Sequence, residues 1–434
     1  MRILFIAPSA YLLGGVQDWM YMTVIGLRKR GHVVEVGVPD GFYHNGKMFN
    51  KHFAGIDASF FRNRSGTNEG RIRGLKRFIE KREIDIIVGV NIGNLFETIA
   101  RLDKDRHAKF VLTVHAIEHN YFADIEHYKK MIDGVIVTNK LAELLANKLG
   151  RIENSKIHYA PYGVSQKEVN DNQTLSATPL MIAWVGRLEE TQKRASDIKE
   201  VLKSLDRLGV DYKLGIAGDG PDKERLLAQI SEWLQAGKVH YHGMIEKEKL
   251  KHFYKGYHIL LITSTWETGP IVAWEAINSG LVVVSSKYIG SKAEKSLQHE
   301  KTALMFDIGD AADAAKQIAR LTDENLRYKI SYSAKTVVTL KYSVEASLDA
   351  WEKAFIEVIS SKRQSEESED KREYKPYATG RLEKYFGLVA SEFIRSILPN
   401  KIANSAGDEW PHSLQGVKDQ SWILNYAKEL EEYS

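Results

Sequence analysis

Two carboxylates in one short segment, Glu267 and Glu275, have the residue type and spacing that best suit ligand chemistry. They stand eight positions apart in Glu267-Thr-Gly-Pro-Ile-Val-Ala-Trp-Glu275. An apolar run before Glu267 predicts a strand, and the residues after Gly269 and Pro270 predict a helix that contains Glu275. Carboxylates accept hydrogen bonds from hydroxyl groups, and free amides at a helix start attract phosphate oxygens. The segment therefore predicts a site for a charged, hydroxyl-rich ligand such as a sugar nucleotide.

Two cations occur in the single loop that follows one of the predicted strands. Arg187 follows the apolar run Met181–Val185, and Lys193 comes six residues later. Arginine can bind two oxygens at once and lysine supplies a point charge, so the pair suits a diphosphate. Taken alone, the pair is more typical of a surface loop. Together with Glu267 and Glu275, it favours a diphosphate-linked ligand.

Glycine-containing turns follow several other predicted strands. Gly14 and Gly15 follow the first strand, and Gly218 and Gly243 follow two later ones. Glycine lets backbone amides approach a ligand, but each turn is also consistent with a plain connection between strand and helix. The first turn lacks the three glycines of a dinucleotide-binding fingerprint. His115, at the end of another strand, is consistent with either a structural or a ligand-contacting histidine.

Short apolar runs alternate with longer helical patterns along the chain and would position these residues. The runs are Ile3–Ala7, Val33–Val38, Ile84–Val90, Phe110–Val114, Val135–Thr138, Ile157–Ala160, Met181–Val185, Tyr212–Ala217, Val239–His242, Ile259–Thr263, Leu281–Ser285 and Ala303–Phe306. Near-continuous apolar strands separated by helices predict parallel sheets covered on both faces. Ligands bind at the carboxyl ends of such strands, so we expect the site in a cleft between two sheets.

The alternation stops at a polar stretch, Ser165–Thr178, and then restarts. We therefore expect one Rossmann-like domain over residues 1–165 and a second over residues 166–345. A helix over residues 346–360 is expected to close the second domain or to cross back to the first. Residues 361–434 read as a charged linker followed by an aromatic-rich extension, which would pack on the chain's own domains or on a protein partner.

Length and composition exclude several classes of protein. The 434 residues predict two or three domains, and 43% hydrophobic with 27% charged residues is typical of a globular chain. The absence of cysteine excludes disulfides and cysteine metal sites and fits a reducing compartment. The first apolar run is too short for a signal peptide, and no stretch approaches the ~20 apolar residues of a membrane span. We therefore expect a cytoplasmic protein.

The net charge of +4 is unevenly distributed. Residues 1–165 hold 24 basic and 17 acidic side chains, and eight basic against two acidic residues fall between Arg62 and Arg82. Four apolar residues share one helical stripe there: Ile72, Leu75, Phe78 and Ile79. We prefer the interpretation of a Rossmann helix that packs on its sheet. The alternative is an interfacial helix that would hold the protein peripherally at the inner face of a membrane.

The motifs, in their order and spacing, resemble those of retaining glycosyltransferases of family 4. The residues concerned are Gly14-Gly15, His115, Gly186-Arg187 with Lys193, Gly218, Gly243 and Glu267 with Glu275. The resemblance covers residues 1–360, and the Glu-x7-Glu element with its upstream cations is the most specific part. It implies an α/β GT-B fold, with two Rossmann-like doubly wound parallel-sheet domains facing a central cleft. Residues 1–165 would form the acceptor side and residues 166–345 the donor side.

The resemblance also implies a role for each candidate residue. Arg187 and Lys193 would neutralise the departing diphosphate, and Glu267 would contact the donor sugar. Glu275 would hold the ribose hydroxyls, and His115 would contact the sugar or the acceptor hydroxyl. The remaining candidates for substrate and nucleotide binding are Gly14, Gly15, Gly186, Gly218, Gly243, Met244, Ile245, Gly269, Pro270, Ile271 and Val272.

The implied activity is transfer of a sugar from a nucleotide-diphosphate sugar to a hydroxyl acceptor, with retention of configuration. UDP is favoured over GDP, and the acceptor would be a glycan, a lipid-linked sugar or a small molecule in glycan, polysaccharide or glycolipid synthesis. No cofactor and no metal are expected, because the two cations would carry the diphosphate charge. No nucleic-acid partner is expected.

Two alternatives to glycosyl transfer remain open. The chain could be a GT-B sugar-nucleotide epimerase or a non-catalytic scaffold subunit; no lysine motif for pyridoxal phosphate supports a phosphorylase.

The sequence departs from the family pattern at three positions. Gly269 stands where the family often has an aromatic residue, and Pro270 stands where glycine is commoner. Lys193-Arg194 replaces the usual Lys-Gly. These positions bear on the identity of the donor.

Overall fold

The structure, a computed structural model, describes residues 1–8, 15–40, 49–51, 53–102, 107–165, 178–362, 381–398 and 418–432. The chain forms two compact units. Unit 1 comprises Met1–Thr138, Ala142–Ala160 and Leu348–Ile423. Unit 2 comprises Asn139–Leu141, Pro161–Ser347 and Leu424–Ser434.

A parallel sheet of seven strands forms the centre of unit 1. The strands are β1 (Arg2–Ile6), β2 (Val33–Asp40), β3 (Ser59–Arg62), β4 (Ile86–Val90), β5 (Lys109–Val114), β6 (Gly134–Val137) and β7 (Ile157–Tyr159). The helices along this stretch of chain are α1 (Gly15–Lys29), α2 (Asn68–Glu80), α3 (Leu95–Ala100), α4 (His119–Tyr128) and α5 (Lys140–Lys148). The strand order is β3-β2-β1-β4-β5-β6-β7. Every residue of β4, β5 and β6 is buried, as expected for strands covered on both faces.

Unit 2 repeats this plan with a parallel sheet of six strands. The strands are β8 (Leu180–Val185), β9 (Tyr212–Ala217), β10 (Val239–Gly243), β11 (Ile259–Ile262), β12 (Val282–Ser286) and β13 (Leu304–Phe306). The helices are α6 (Asp197–Arg207), α7 (Lys223–Gln229), α8 (Ser231–Gln235), α9 (Lys247–Lys255), α10 (Ile271–Asn278), α11 (Ser291–Glu294), α12 (Ala311–Arg320) and α13 (Glu324–Tyr342). The strand order is β10-β9-β8-β11-β12-β13, so the loops after β8 and β11 leave the sheet side by side.

Three further helices complete the described chain. They are α14 (Val344–Ser360), α15 (Arg381–Ile397) and α16 (Gln420–Glu432). Helix α14 begins in unit 2 and belongs to unit 1 from Leu348 onward, whereas α16 belongs to unit 2 from Leu424 onward. Much of the predicted charged linker, and with it Tyr374, Tyr377 and Trp410 of the aromatic tail, lies outside the described residues.

The predicted alternation of strands and helices is confirmed, with all twelve predicted strands present to within two residues at each end. The prediction missed one described strand, β3. This strand has four residues, lies at an edge of its sheet and buries only Phe61. A short edge strand with one buried residue lacks the continuous apolar run that marked the others.

The apolar stripe on α2 belongs to the interior of unit 1. Ile72 and Leu75 are fully buried, and Phe78 and Ile79 are 7% and 5% exposed. The structure thus gives α2 the packing of an ordinary Rossmann helix, and the stripe cannot serve as the membrane-facing surface considered for this segment. Within the described residues, no helix combines the length and hydrophobicity that a membrane span requires.

Candidate active site

An ion pair between Lys193 and Glu267 forms the centre of the candidate site in unit 2. Lys193 Nζ lies 2.6 Å from Glu267 Oε1, and the buried Ser264 hydroxyl donates to the same oxygen at 2.5 Å. The two charged side chains are only 17% and 7% exposed, so solvent screens their attraction weakly. Oε2 of Glu267 accepts no hydrogen bond from any described residue, which leaves it available to a ligand hydroxyl.

The ion pair forms because hydrogen bonds join the loops after β8 and β11. The Glu189 carboxylate accepts from the amides of Gln192 and Lys193, at 3.0 and 2.8 Å. The Gln192 carbonyl accepts from the Thr265 amide at 2.7 Å, and the Gln192 side chain donates to the Trp266 carbonyl at 3.1 Å. These bonds fix the lysine loop against the loop of the carboxylate without the help of a ligand.

Arg187 supplies an exposed cation next to this pair. It follows Gly186 directly. A Cβ built on Gly186 would lie 3.7 Å from Cδ and Cε of Lys193, so Gly186 and the lysine side chain are neighbours. The Arg187 side chain is exposed and has no hydrogen-bond or ion-pair partner in the part of the chain that the structure describes. A guanidinium with all its donors open can bind phosphate oxygens in a bidentate manner.

Gly218 brings the loops after β9 and β10 into the same region. Its φ is +138°, and an added Cβ would lie 1.9 Å from the Gly186 carbonyl oxygen, so only glycine fits. The Gly218 amide donates to the Gly243 carbonyl at 2.8 Å. Met244, 75% exposed, and the half-buried Ile245 follow Gly243. The candidate binding residues of these loops are thus grouped at the carboxyl ends of adjacent strands.

Helix α10 carries Glu275, the second carboxylate of the candidate site. Glu275 lies in its second turn and is half-buried, after the half-buried first residues Ile271 and Val272. Gly269, just before the helix, has a φ of +105°, a conformation that strongly favours glycine. Burial and, after it, the charge of Glu275 raise the pKa of the fully buried Tyr254 on α9 well above its ordinary value. Helix α10 thus brings the Glu275 carboxylate close enough to α9 for its charge to act on Tyr254.

A carboxylate from the C-terminal helix also supports the site, and sequence reasoning missed it. Glu431 on α16 accepts from the amides of Gly290 and Ala293, both at 2.8 Å. The neighbouring Ile289 carbonyl accepts from the Glu267 amide at 3.3 Å. Glu431 thus fixes the loop that holds the backbone of Glu267. Burial is the main cause that raises the pKa of Glu431.

Ser264 and Tyr288 are two more residues of the site that the sequence did not single out. Burial raises the pKa of Tyr288 well above its ordinary value, and the charge of Glu267 adds to this effect. The Tyr288 hydroxyl has no hydrogen-bond partner among the described residues. Ser264 follows the apolar strand β11, and this strand-end position was the signal that could have identified it.

The candidates of unit 1 are His115, Gly15 and Gly14. Gly15 is the first residue of α1, and Gly14 lies outside the described residues. His115 follows β5 directly, is 4% exposed and packs against Trp19 with 4.5 Å between ring centroids. None of the three shares a unit with the ion pair.

The environment of His115 fixes its protonation. Its Nε2 lies 2.9 Å from the Thr113 hydroxyl, which donates its own proton to the Gly89 carbonyl at 2.9 Å. Nε2 must therefore carry the proton of this hydrogen bond. Complete burial lowers the pKa of His115 from 6.5 to about 3, so the folded protein holds it as a neutral imidazole.

Neutral burial of His115 predicts a loss of stability in acid. The unfolded chain binds a proton near pH 6.5 that the folded state does not bind until about pH 3, so stability falls as the pH drops between these values. We expect His115→Gln to reduce the slope of unfolding free energy against pH by up to about 1.4 kcal/mol per unit in this window. Urea unfolding at several pH values measures the slope. The exposed His252→Gln serves as control, and an unchanged slope in His115→Gln would contradict the prediction.

Comparison with solved structures defines the fold class. A glycosyltransferase from Rickettsia africae superposes with a TM-score of 0.68 at 16% identity, covering 83% of this chain and 99% of that one. The lipopolysaccharide outer core galactosyltransferase WaaB gives 0.66 at 17% identity, covering 82% and 99%. Anabaena Alr3699/HepE in complex with UDP and glucose gives 0.64 at 15% identity, covering 82% and 99%. With its two parallel-sheet α/β domains, the chain has the GT-B fold, as predicted.

Sequence comparison finds a family model that matches part of the chain. Residues 165–337 match the family of glycosyl transferases group 1. Lipopolysaccharide 1,6-galactosyltransferase of Salmonella typhimurium is 24% identical over 243 residues, which cover 54% of this chain and 63% of the relative. The Escherichia coli K12 protein of the same name is 23% identical over 339 residues, covering 72% and 86%. An uncharacterized glycosyltransferase of Methanocaldococcus jannaschii is 32% identical over 164 residues, covering 38% and 41%. The chain therefore spans less than two thirds of the Salmonella and Methanocaldococcus relatives.

Proposed function

We propose that this chain is a retaining glycosyltransferase, of the family 4 type, that transfers a sugar from a UDP-sugar to a hydroxyl acceptor. The contact between Lys193 and Glu267, 2.6 Å apart and next to the exposed Arg187, carries this proposal. The group 1 match over residues 165–337 supports it. Two relatives are named lipopolysaccharide 1,6-galactosyltransferases, and a structure of the same fold contains UDP-glucose. An acceptor in glycan, polysaccharide or glycolipid synthesis is consistent with these names.

Each candidate residue of unit 2 would have its own role in binding or transfer. Arg187 and Lys193 would hold the diphosphate and stabilise the negative charge that develops as it leaves. Glu267 would accept a hydroxyl of the donor sugar on Oε2, the oxygen that its protein contacts leave open. Glu275 would accept the ribose hydroxyls, and the start of α10 would offer amides to sugar and phosphate oxygens. Met244 would lie near the base.

In the proposed reaction, the acceptor oxygen forms a bond to the anomeric carbon while the bond from that carbon to the diphosphate oxygen breaks. Attack and departure occur on the same face of the sugar, which retains the configuration. The acceptor proton passes to an oxygen of the departing diphosphate. Two protein cations would neutralise this leaving group, and we propose that no metal is required. Transfer should then continue in the presence of excess EDTA.

Replacement of Arg187 by alanine tests the nucleotide site. We expect the Kd for UDP to rise about 10- to 100-fold, because a charge-assisted hydrogen bond contributes about 1.5–3 kcal/mol. Isothermal titration with UDP measures the effect. Arg207→Ala removes an exposed arginine from α6 of the same unit and should leave the Kd unchanged. Equal affinities of Arg187→Ala and the parent protein would exclude the proposed diphosphate contact.

The class of reaction is tested separately by product analysis. A thermal-shift screen of UDP, GDP and ADP and their sugars identifies the donor, and proton NMR then follows that donor with and without candidate acceptors. The proposal requires an acceptor-dependent product with the anomeric configuration of the donor. Conversion of the donor alone into an isomer would identify a sugar-nucleotide epimerase instead. A folded protein that binds no nucleotide would favour the scaffold alternative.

A further inference from the structure

Helix α15 in the C-terminal extension has the reverse of the usual polarity of a surface helix. Ser391, Glu392 and Arg395 are buried, at 0%, 5% and 4% exposure. Large apolar side chains point to solvent instead: Tyr385 (76% exposed), Phe386 (59%), Val389 (71%), Phe393 (66%) and Ile397 (66%). A monomeric soluble protein rarely exposes so many adjacent apolar residues. We call these five residues the apolar face of α15.

The buried polar side of α15 is anchored to unit 1 and fixes this orientation. Glu392 Oε2 accepts from the Ser65 hydroxyl at 2.5 Å and from the Thr67 hydroxyl at 2.8 Å. Its other oxygen accepts from Arg395 at 3.2 Å. Thr67 also caps α2, since its hydroxyl oxygen accepts from the Gly70 amide at 3.0 Å. Rotation of α15 to bury the apolar face would expose these bonds, so the apolar face is held outward.

A kink lies within the apolar face of α15. Gly387, with φ +74°, divides the helix into two segments. Val389, Phe393 and Ile397 recur every four residues in the second segment and therefore share one side of it. Tyr385 and Phe386 extend the exposed surface into the first segment.

The charges around the apolar face identify the kind of partner. Arg381 and Lys384 are exposed at the start of α15, and Arg62 and Arg64 are exposed beside the anchoring residue Ser65. The acidic residues of α15 are Glu392, which is buried, and Glu383, which is half-buried. The exposed charged residues of α15 are therefore both basic. An anionic surface complements them.

We propose that the apolar face of α15 docks this protein on an anionic lipid surface. Aromatic and aliphatic side chains would enter the boundary between headgroups and acyl chains, and the four cations would contact the headgroups. The helix would lie in the interface, with its polar side still bound to unit 1. This inference does not depend on the proposed glycosyl transfer.

Co-sedimentation of the full chain with vesicles tests the proposal. We expect binding to phosphatidylcholine vesicles that contain about 30 mol% phosphatidylglycerol, and little binding to pure phosphatidylcholine. Binding should occur at about 50 mM salt and weaken at about 500 mM, because salt screens the cations. The double variant Phe386→Ser/Phe393→Ser should bind about tenfold or more weakly. Arg381→Gln/Lys384→Gln should lose the preference for the anionic vesicles.

A matched pair of exposed aromatics elsewhere provides the control. Tyr328 and Tyr332 on α13 are 72% and 67% exposed, and their replacement by serine should leave vesicle binding unchanged. UDP affinity and the thermal midpoint should be the same in every variant, which separates this test from that of the proposed function. Equal vesicle binding by Phe386→Ser/Phe393→Ser and the parent, or no binding at low salt, would overturn the proposal. A dimer in sedimentation velocity that this variant abolishes would identify a second copy as the occupant instead.

Discussion

Glu267→Gln is expected to lower the rate of sugar transfer by about 10²- to 10³-fold, which is the effect of removing one well-placed polar contact from a transition state. Glutamine keeps the shape of the side chain and can still accept from Ser264. It removes the negative charge that now holds Lys193 Nζ at 2.6 Å. The freed lysine charge should leave the Kd for UDP unchanged or lower it. A loss of kcat without a loss of nucleotide binding would thus identify Glu267 as a residue that acts on the sugar.

Steady-state transfer assays and titration with UDP together measure this result. Glu224→Gln is the matched control, because Glu224 lies on α7 of the same unit with its side chain 87% exposed. It should retain full activity. A Glu267→Gln variant that loses UDP affinity as much as it loses rate would show that the carboxylate supports the fold of the loop instead. A variant with full activity would remove Glu267 from the reaction.

The sequence predicted the sheets well because buried parallel strands are apolar at nearly every position. β11, for example, is Ile-Leu-Leu-Ile, and all four residues are buried. It also predicted Lys193 and Glu267 as partners in one site, because both lie just beyond the carboxyl ends of strands. The structure adds that β8 and β11 are neighbours in the sheet. This adjacency makes the 2.6 Å contact between the two side chains geometrically accessible.

Other parts of the site could not be predicted, because they depend on contacts between residues far apart in the chain. Glu431 lies 141 residues from Gly290 in the sequence. Its carboxylate oxygens accept hydrogen bonds from backbone amides, and every residue type except proline has such an amide, so the sequence does not mark the partner. The outward apolar face of α15 was hidden for a similar reason. Its pattern alone fits a helix that packs its apolar side inward, and only the contact of Glu392 with Ser65 and Thr67 shows the reverse.

The C-terminal extension therefore contributes structural hydrogen bonds to each of the two units. Through Glu431 it holds the loop next to Glu267, and through Glu392 it holds the start of α2. One contact lies in unit 2 and the other in unit 1. Both use a buried carboxylate that accepts two hydrogen bonds from protein groups outside the tail, and loss of such partners is costly for a buried charge.

Gly218→Ala is expected to be among the most destabilising substitutions in unit 2. A φ of +138° is strained for any residue with a Cβ, at about 1–3 kcal/mol. The new methyl group would also lie 1.9 Å from the Gly186 carbonyl oxygen, a backbone atom that cannot move without displacing Arg187. We expect a total loss of about 3 kcal/mol or more in the free energy of unfolding, together with weaker UDP binding in the fraction that remains folded.

Urea unfolding of Gly218→Ala beside Gly237→Ala measures how much more the substitution costs where the added Cβ meets backbone. Gly237 has a φ of +68°, and an added Cβ there meets nothing within 4 Å. Its variant should lose only about 1 kcal/mol, the ordinary cost of a left-handed alanine. The excess loss in Gly218→Ala then combines the added strain at φ +138° with the clash against the Gly186 carbonyl, which precedes Arg187. Equal losses in the two variants would mean that the Gly186 carbonyl yields easily, and that Gly218 does not fix the position of the arginine.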